Sequence, residues 1–161
     1  MYEAEVKSLL VEKCFDPTEG WEVNVHLDPM ELCRGGTHPE GKRQAISRAL
    51  EHLKDLGVNI GIDRMYKVDI SAKHSDHGLF LIEAKGESSE QKEVGLYSAL
   101  GQLLTKAGEP PWSATLGLAF PNTKKWERQV EKLPIWLIEH LSLRIYLVSD
   151  INVLLWNKKT S

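Results

Sequence analysis

The sequence predicts an α/β fold in which a central mixed β-sheet is flanked by helices. Short apolar segments with strand-like alternation are interleaved with longer segments whose apolar residues recur at helical spacing. The segment 114–120 is nearly all apolar, as expected for an interior strand covered on both faces. The chain has 161 residues, of which 42% are hydrophobic and 27% charged. We therefore expect a single domain over 1–161 with a substantial core.

Helices are predicted where apolar residues repeat every three or four positions. In chain order these segments are 2–14, 37–56, 88–107, 124–132 and 135–141. Gly57 and Gly108 follow the second and third segments, and glycine is the usual residue just after a helix end. Pro134 separates the last two helices, because proline cannot continue a helix that has already begun.

Strands are predicted where side chains alternate or form short apolar runs. These segments are 21–26, 64–73, 78–86, 114–120, 144–148 and 153–156. The second and third strands are close enough in sequence to form a hairpin through a turn at 73–78. The order of helices and strands favours a sheet with helices packed on its faces.

Charged residues occupy two of these strands, where they are costly to bury. Glu83 and Lys85 follow the apolar run 79–82 and share one strand face, since side chains alternate with a period of two. Asp69 lies within the neighbouring predicted strand and could join them. Two carboxylates can hold a divalent cation such as Mg²⁺, and a lysine beside it can orient a water or offset phosphate charge. The alternative is an exposed sheet end at which Glu83 and Lys85 form a weak surface pair.

Asp63 is a second aspartate near the same strand, in the segment 61–64. It lies two residues after Gly61 and directly before the predicted strand, which is typical of a turn residue. We therefore interpret Asp63 as structural and place Asp69 in the site.

This pattern resembles the PD-(D/E)XK nuclease superfamily, whose members have the restriction-endonuclease-like fold. The matching residues are Asp69 and the triplet Glu83-Ala84-Lys85, and the predicted order helix–strand–strand–strand–helix–strand is similar to the family core. Val68 stands where many members have proline. The resemblance covers about 1–121 as the core, with 122–161 as a C-terminal extension.

The resemblance implies hydrolysis of phosphodiester bonds, most often in DNA, with Mg²⁺ or Mn²⁺ as the cofactor. Asp69, Glu83 and the backbone carbonyl of Ala84 would bind the metal, and Lys85 would assist the attacking water. Gln102, on the helix that follows, matches a polar helix residue found in several branches of the family. A solvated helix face is the alternative for Gln102.

Many family members carry a further glutamate on the first helix, where it adds a metal or water contact. Glu5 borders the apolar face of this helix and is preferred here to Glu3. The alternative for either residue is a solvated acid that interacts favourably with the positive end of the helix dipole.

The net charge of −3 argues against a protein that coats nucleic acid through charge alone. Lys42, Arg43 and Arg48 form a basic stretch on the second helix, which could contact phosphates or could be an ordinary solvated face. We expect DNA as the partner. We also expect a homodimer or a partner subunit that supplies further contacts with the DNA. A non-catalytic nuclease-like module that binds nucleic acid or protein, and an enzyme acting on RNA or a nucleotide, remain alternatives.

The sequence also bears on the cellular setting. No apolar run approaches the length of a membrane span, so no membrane association is expected. The first residues are acidic and lack a signal-peptide pattern, and there are only two cysteines. These observations favour a cytoplasmic protein.

Overall fold

Seven strands form one mixed sheet in the computed structural model, which describes residues 1–27, 40–87, 92–108 and 113–157. Across the sheet the strands are ordered β2-β1-β3-β4-β5-β6-β7. Their bounds are β1 (Glu22–Val25), β2 (Asn59–Ile60), β3 (Ile70–His74), β4 (Gly78–Ala84), β5 (Ala114–Pro121), β6 (Arg144–Val148) and β7 (Val153–Leu155). The predicted α/β class with a mixed sheet is confirmed.

Parallel and antiparallel pairs divide the sheet. Strands β4, β5 and β6 are parallel to one another, whereas β3 is antiparallel to both β1 and β4. At the two edges, β2 pairs parallel with β1 and β7 pairs antiparallel with β6. Strands β6 and β7 belong to the segment predicted as an extension, and they continue the same sheet beyond β5.

Helices cover both faces of the sheet. They are α1 (Glu3–Cys14), α2 (Glu40–Asp55), α3 (Lys92–Lys106), α4 (Lys124–Val130) and α5 (Ile135–Leu141). One core lies under α1 and α2, and a second lies under α3, α4 and α5. The predicted beginnings of the second and third helices, at 37–39 and 88–91, lie outside the described residues. None of the helices that the structure describes has the length and apolar character needed to cross a bilayer.

Strand β4 contributes to both cores because its side chains alternate. Phe80, Ile82 and Ala84 pack in the core under α1, whereas Leu81 packs in the core under α3. Burial of each large apolar side chain stabilises the fold by about 1.5–3 kcal/mol relative to exposure. The alternation predicted for 79–85 is therefore present, and it directs the next residue on the Leu81 face, Glu83, toward α3.

The prediction of a strand over 64–73 is wrong in its first half, because β3 begins only at Ile70. Asp63 accounts for the difference: its Oδ1 accepts the backbone N–H groups of Met65 and Tyr66 at 2.7 and 3.0 Å. These local hydrogen bonds form a turn and compete with strand pairing. Strand β2 was not predicted, since two residues are too few to show a periodicity.

Candidate functional site

Asp69 and Glu83 meet at the end of the β3–β4 hairpin. The antiparallel ladder pairs Ile70 with Ile82, so the next positions outward place Asp69 opposite Glu83. Asp69 directly precedes β3 rather than lying inside it, which corrects its predicted position. Both residues are buried, with exposed fractions of 6% for Asp69 and 1% for Glu83. The structure therefore brings the two predicted carboxylates together in a nearly dry environment.

Lys7 on α1 is the main residue that sequence reasoning missed. Its ammonium lies 3.0 Å from Asp69 Oδ1 and 2.8 Å from Glu3 Oε1, and it donates to the carbonyl oxygen of His26 at 2.8 Å. A lysine has three N–H donors, and these three oxygens use all of them. The signal was present in the sequence, because Lys7 lies at helical spacing from buried residues of α1 at positions 4, 10 and 11.

The charges around Lys7 and Asp69 keep both groups ionised. Burial alone would lower the pKa of Lys7, but the charges of Asp69 and Glu3 outweigh burial and raise this pKa to about 12. Burial likewise acts to raise the pKa of Asp69, but the Lys7 charge and the Ala84 N–H hold it below its usual range. That N–H donates to Asp69 Oδ2 at 2.9 Å. Asp69 is therefore a fixed negative charge.

The pKa of Glu83 is shifted in the opposite direction from the pKa of Asp69. Burial first, and then the charge of Asp69, raise the pKa of Glu83 from 4.5 to about 7, although Lys106 opposes the shift. Its Oε1 lies 2.8 Å from the ammonium of Lys106, at the end of α3. Its Oε2 is buried and has no hydrogen-bond partner among the described residues. The raised pKa therefore means that Lys106 only partly offsets the burial of Glu83 and the charge of Asp69.

Lys85 and Gln102 contact each other next to the buried carboxylates, in a position that is partly exposed to solvent. The ammonium of Lys85 donates to Gln102 Oε1 at 3.0 Å, and both side chains are half-buried. The charge of Lys85 also makes a small contribution to lowering the pKa of Asp69. Gln102 and Lys106 are one helical turn apart, so one face of α3 supplies both residues to the site.

Glu5 lies on a different face of α1 from Lys7, and its metal or water contact stays a prediction. Glu5 Oε2 accepts the backbone N–H of Tyr2 at 2.7 Å, and its side chain lines a cavity of about 250 Å³ between α1 and α2. Helix residues are rotated by about 100° each, so Glu3 and Lys7 share a face that Glu5 does not. The glutamate of α1 that contacts the site through Lys7 is therefore Glu3.

The basic residues of α2 have different surroundings. Arg48 lines the same cavity as Glu5, Arg43 is exposed, and Lys42 is half-buried. Their contact with phosphate stays a prediction, as does the metal-ligand role of the Ala84 carbonyl.

Gly86 allows the beginning of α1 to approach the end of β4. A Cβ atom at this position would lie 2.8 Å from the carbonyl carbon of Tyr2 and closer still to the backbone nitrogen of Glu3. The N–H of Glu87 also donates to the carbonyl of Met1 at 2.8 Å. This close contact sets the position of α1, and hence of Glu3 and Lys7, relative to Asp69.

The donor set of the site fits a hard divalent cation. Across the described residues, no group of three or more His, Cys, Asp or Glu side chains is placed to hold a metal ion. Mg²⁺, however, usually keeps several waters and needs only one or two carboxylates. Glu83 Oε2, which has no hydrogen-bond partner within the described ranges, and the ionised Asp69 meet that need.

Comparison with known proteins gives one similar structure. No protein-family model and no curated protein matches the chain. Among solved structures, the chain is similar to the crystal structure of an XisH family protein from Nostoc punctiforme. The sequence identity is 16%, the TM-score is 0.46, and the similarity covers 97% of this chain and 96% of that chain.

Proposed function

We propose that this chain is a divalent-metal-dependent nuclease that hydrolyses phosphodiester bonds in DNA, acting in the cytoplasm with Mg²⁺ or Mn²⁺. The observation that carries the proposal is the pair of buried carboxylates, Asp69 and Glu83, of which Glu83 Oε2 has no hydrogen-bond partner in the described part of the chain. Lys85 follows Glu83 by two residues and contacts Gln102. The resemblance of Asp69 and Glu83-Ala84-Lys85 to the PD-(D/E)XK nucleases supports the same function.

Each residue has a defined part in this proposal. Asp69, Glu83 and the carbonyl of Ala84 would hold the cation. When bound, the cation would supply an acidified water and positive charge for the phosphate. Gln102 accepts one of the three ammonium donors of Lys85, and the others are suited to the attacking water or a phosphate oxygen. Lys7 is a positioning residue, since it holds Asp69 through Oδ1.

DNA as the substrate is part of the proposal. The net charge of −3 gives little general attraction for DNA, so binding would depend on local positive groups such as Lys42, Arg43 and Arg48. A homodimer or a partner subunit would add the remaining contacts.

The test is cleavage of supercoiled plasmid with Mg²⁺ or Mn²⁺, with and without chelator. Wild type is compared with Glu83→Gln and Lys85→Met, and Glu93→Gln serves as the matched control. Glu93 is an exposed glutamate paired with Lys132 at 3.5 Å, so its substitution removes a similar charge elsewhere. We expect Glu83→Gln and Lys85→Met to lose cleavage by about 100-fold or more, and the control to retain it. Cleavage that persists in both site variants would refute the assignment.

A second candidate is a non-catalytic module, and one observation favours it. Each carboxylate of the site already has a lysine partner, Lys7 for Asp69 and Lys106 for Glu83. A binding module could use these ion pairs for stability alone. Titration with Mn²⁺ separates the candidates, because the module has no reason to bind a divalent cation at Glu83.

A further inference from the structure

Lys106 places a positive charge directly on the carboxylate proposed to bind metal. Its ammonium lies 2.8 Å from Glu83 Oε1, and Lys106 is 29% exposed whereas Glu83 is 1% exposed. Lys106 is therefore the member of this pair nearer to solvent. A divalent cation arriving from solvent would compete with it for the same carboxylate.

The two lysines of the site are held very differently. Lys7 is 1% exposed and donates to three oxygens from three parts of the chain. Lys106 is the last residue of α3, and Gly108 follows it closely with a positive φ of 84°. A long side chain at a helix end can leave its carboxylate at a lower cost than one enclosed by three acceptors. Of the two, Lys106 is the one suited to exchange.

We propose that Lys106 is a tethered counter-ion that occupies the cation's place on Glu83 and is displaced when a divalent cation binds. This inference rests on the proposed function. In the metal-free protein, Lys106 partly neutralises a carboxylate that would otherwise be buried without compensation. After displacement, the ammonium stays on the same helix face as Gln102, one turn away, where it can contact a phosphate group of the substrate.

The proposal predicts the metal affinity of a variant that lacks the ammonium. If Lys106 occupies Glu83 in about nine molecules of ten, the apparent affinity for the cation is reduced about tenfold. Lys106→Met keeps the length of the side chain and removes the competition. We therefore expect Lys106→Met to bind Mn²⁺ about tenfold more tightly than wild type.

Two comparison variants separate competition from general electrostatics. Lys85→Met removes a nearby charge that is bonded to the Gln102 amide, and so reports the long-range effect alone. Lys132→Met removes a lysine from the exposed pair with Glu93 and should leave Mn²⁺ binding unchanged. Mn²⁺ affinity is measured by calorimetry and by electron paramagnetic resonance of the free ion. If the inference is right, Mn²⁺ affinity rises more in Lys106→Met than in Lys85→Met, each compared with wild type.

A second measurement uses the unmodified protein. The ¹⁵N signal of the Lys106 ammonium should shift on addition of Mg²⁺, whereas that of Lys7 should stay in place. Mn²⁺ binding that is equal in wild type and Lys106→Met, or a Lys106 signal that is unmoved when Mg²⁺ binds, would overturn the inference and leave the proposed function standing. Absence of Mn²⁺ binding in wild type and in Lys106→Met alike would overturn both.

Discussion

Glu83→Gln should stabilise the metal-free protein at neutral and alkaline pH, because Glu83 is ionised there at a cost. Its pKa in the folded protein is about 7, compared with the ordinary value of 4.5. The folded protein therefore holds this proton more tightly than the unfolded chain does. Stability falls as the pH rises from about 4.5 to about 7, and the full loss applies above that range. Below pH 4.5 the carboxyl is protonated in both states and contributes no loss.

The magnitude follows from the same two values. At about 1.4 kcal/mol per pH unit, the difference corresponds to about 3 kcal/mol at pH 8. Glutamine is close in shape to the protonated carboxyl and carries no charge at any pH. We therefore expect Glu83→Gln to exceed wild type by about 3 kcal/mol in free energy of unfolding at pH 8, and by about 1 kcal/mol at pH 5.

Urea unfolding in chelator, followed by tryptophan fluorescence, measures this difference. Glu93→Gln is the control, since Glu93 is exposed and its substitution should have little effect at either pH. Adding Mg²⁺ should then stabilise wild type more than Glu83→Gln, because the variant keeps the Asp69 carboxylate but lacks the second carboxylate, that of Glu83. A Glu83→Gln variant that is less stable than wild type at pH 8 in chelator would refute the reasoning.

Three further substitutions test the parts that hold the site together, each by urea unfolding. Lys7→Met should cost about 3–5 kcal/mol, because it leaves Asp69 buried and charged without its partner. Gly86→Ala should cost about 1–3 kcal/mol, since its Cβ overlaps the backbone at the beginning of α1, and hydrogen exchange there should accelerate. Asp63→Ala should cost about 1–3 kcal/mol, because it leaves two backbone N–H groups and the Ser71 hydroxyl without their acceptor.

A control variant and a contradicting result test two of these substitutions, Lys7→Met and Gly86→Ala. Lys132→Met removes a lysine from an exposed ion pair and should change stability by less than about 1 kcal/mol. If Lys7→Met were equally mild, Asp69 would not depend on Lys7 for its charge. Unchanged hydrogen exchange at α1 in Gly86→Ala would show that the approach to β4 is not tight.

Local patterns in the sequence carried the prediction of the strand β4 and its two faces. The alternation of Phe80 and Ile82 with Leu81 is a property of neighbouring residues, so it could be seen without knowing the fold. The same alternation predicted that Glu83 shares a strand face with Leu81. The strand prediction failed for 64–69, where the side-chain hydrogen bonds of Asp63 to the backbone at 65 and 66 form a turn although the residues have the composition of a strand.

The choice between Glu3 and Glu5 could not be made from the periodicity of α1 alone. Glu5 borders the apolar face, but the rotation of the helix about its axis decides which glutamate turns toward Asp69, and it is Glu3 that pairs with Lys7. That rotation depends on the contact between the beginning of α1 and Gly86, which lies more than eighty residues away in sequence.

By itself, the sequence determined the α/β class, most of the helices and strands, and the carboxylates and lysine of one strand end, because these depend on periodicity over a few residues. Only the tertiary structure decided which cations stand beside those carboxylates. Lys7 reaches Asp69 from a helix on one face of the sheet, and Lys106 reaches Glu83 from a helix on the other. Such pairs depend on how helices dock on the sheet, and no local pattern of residues records that docking.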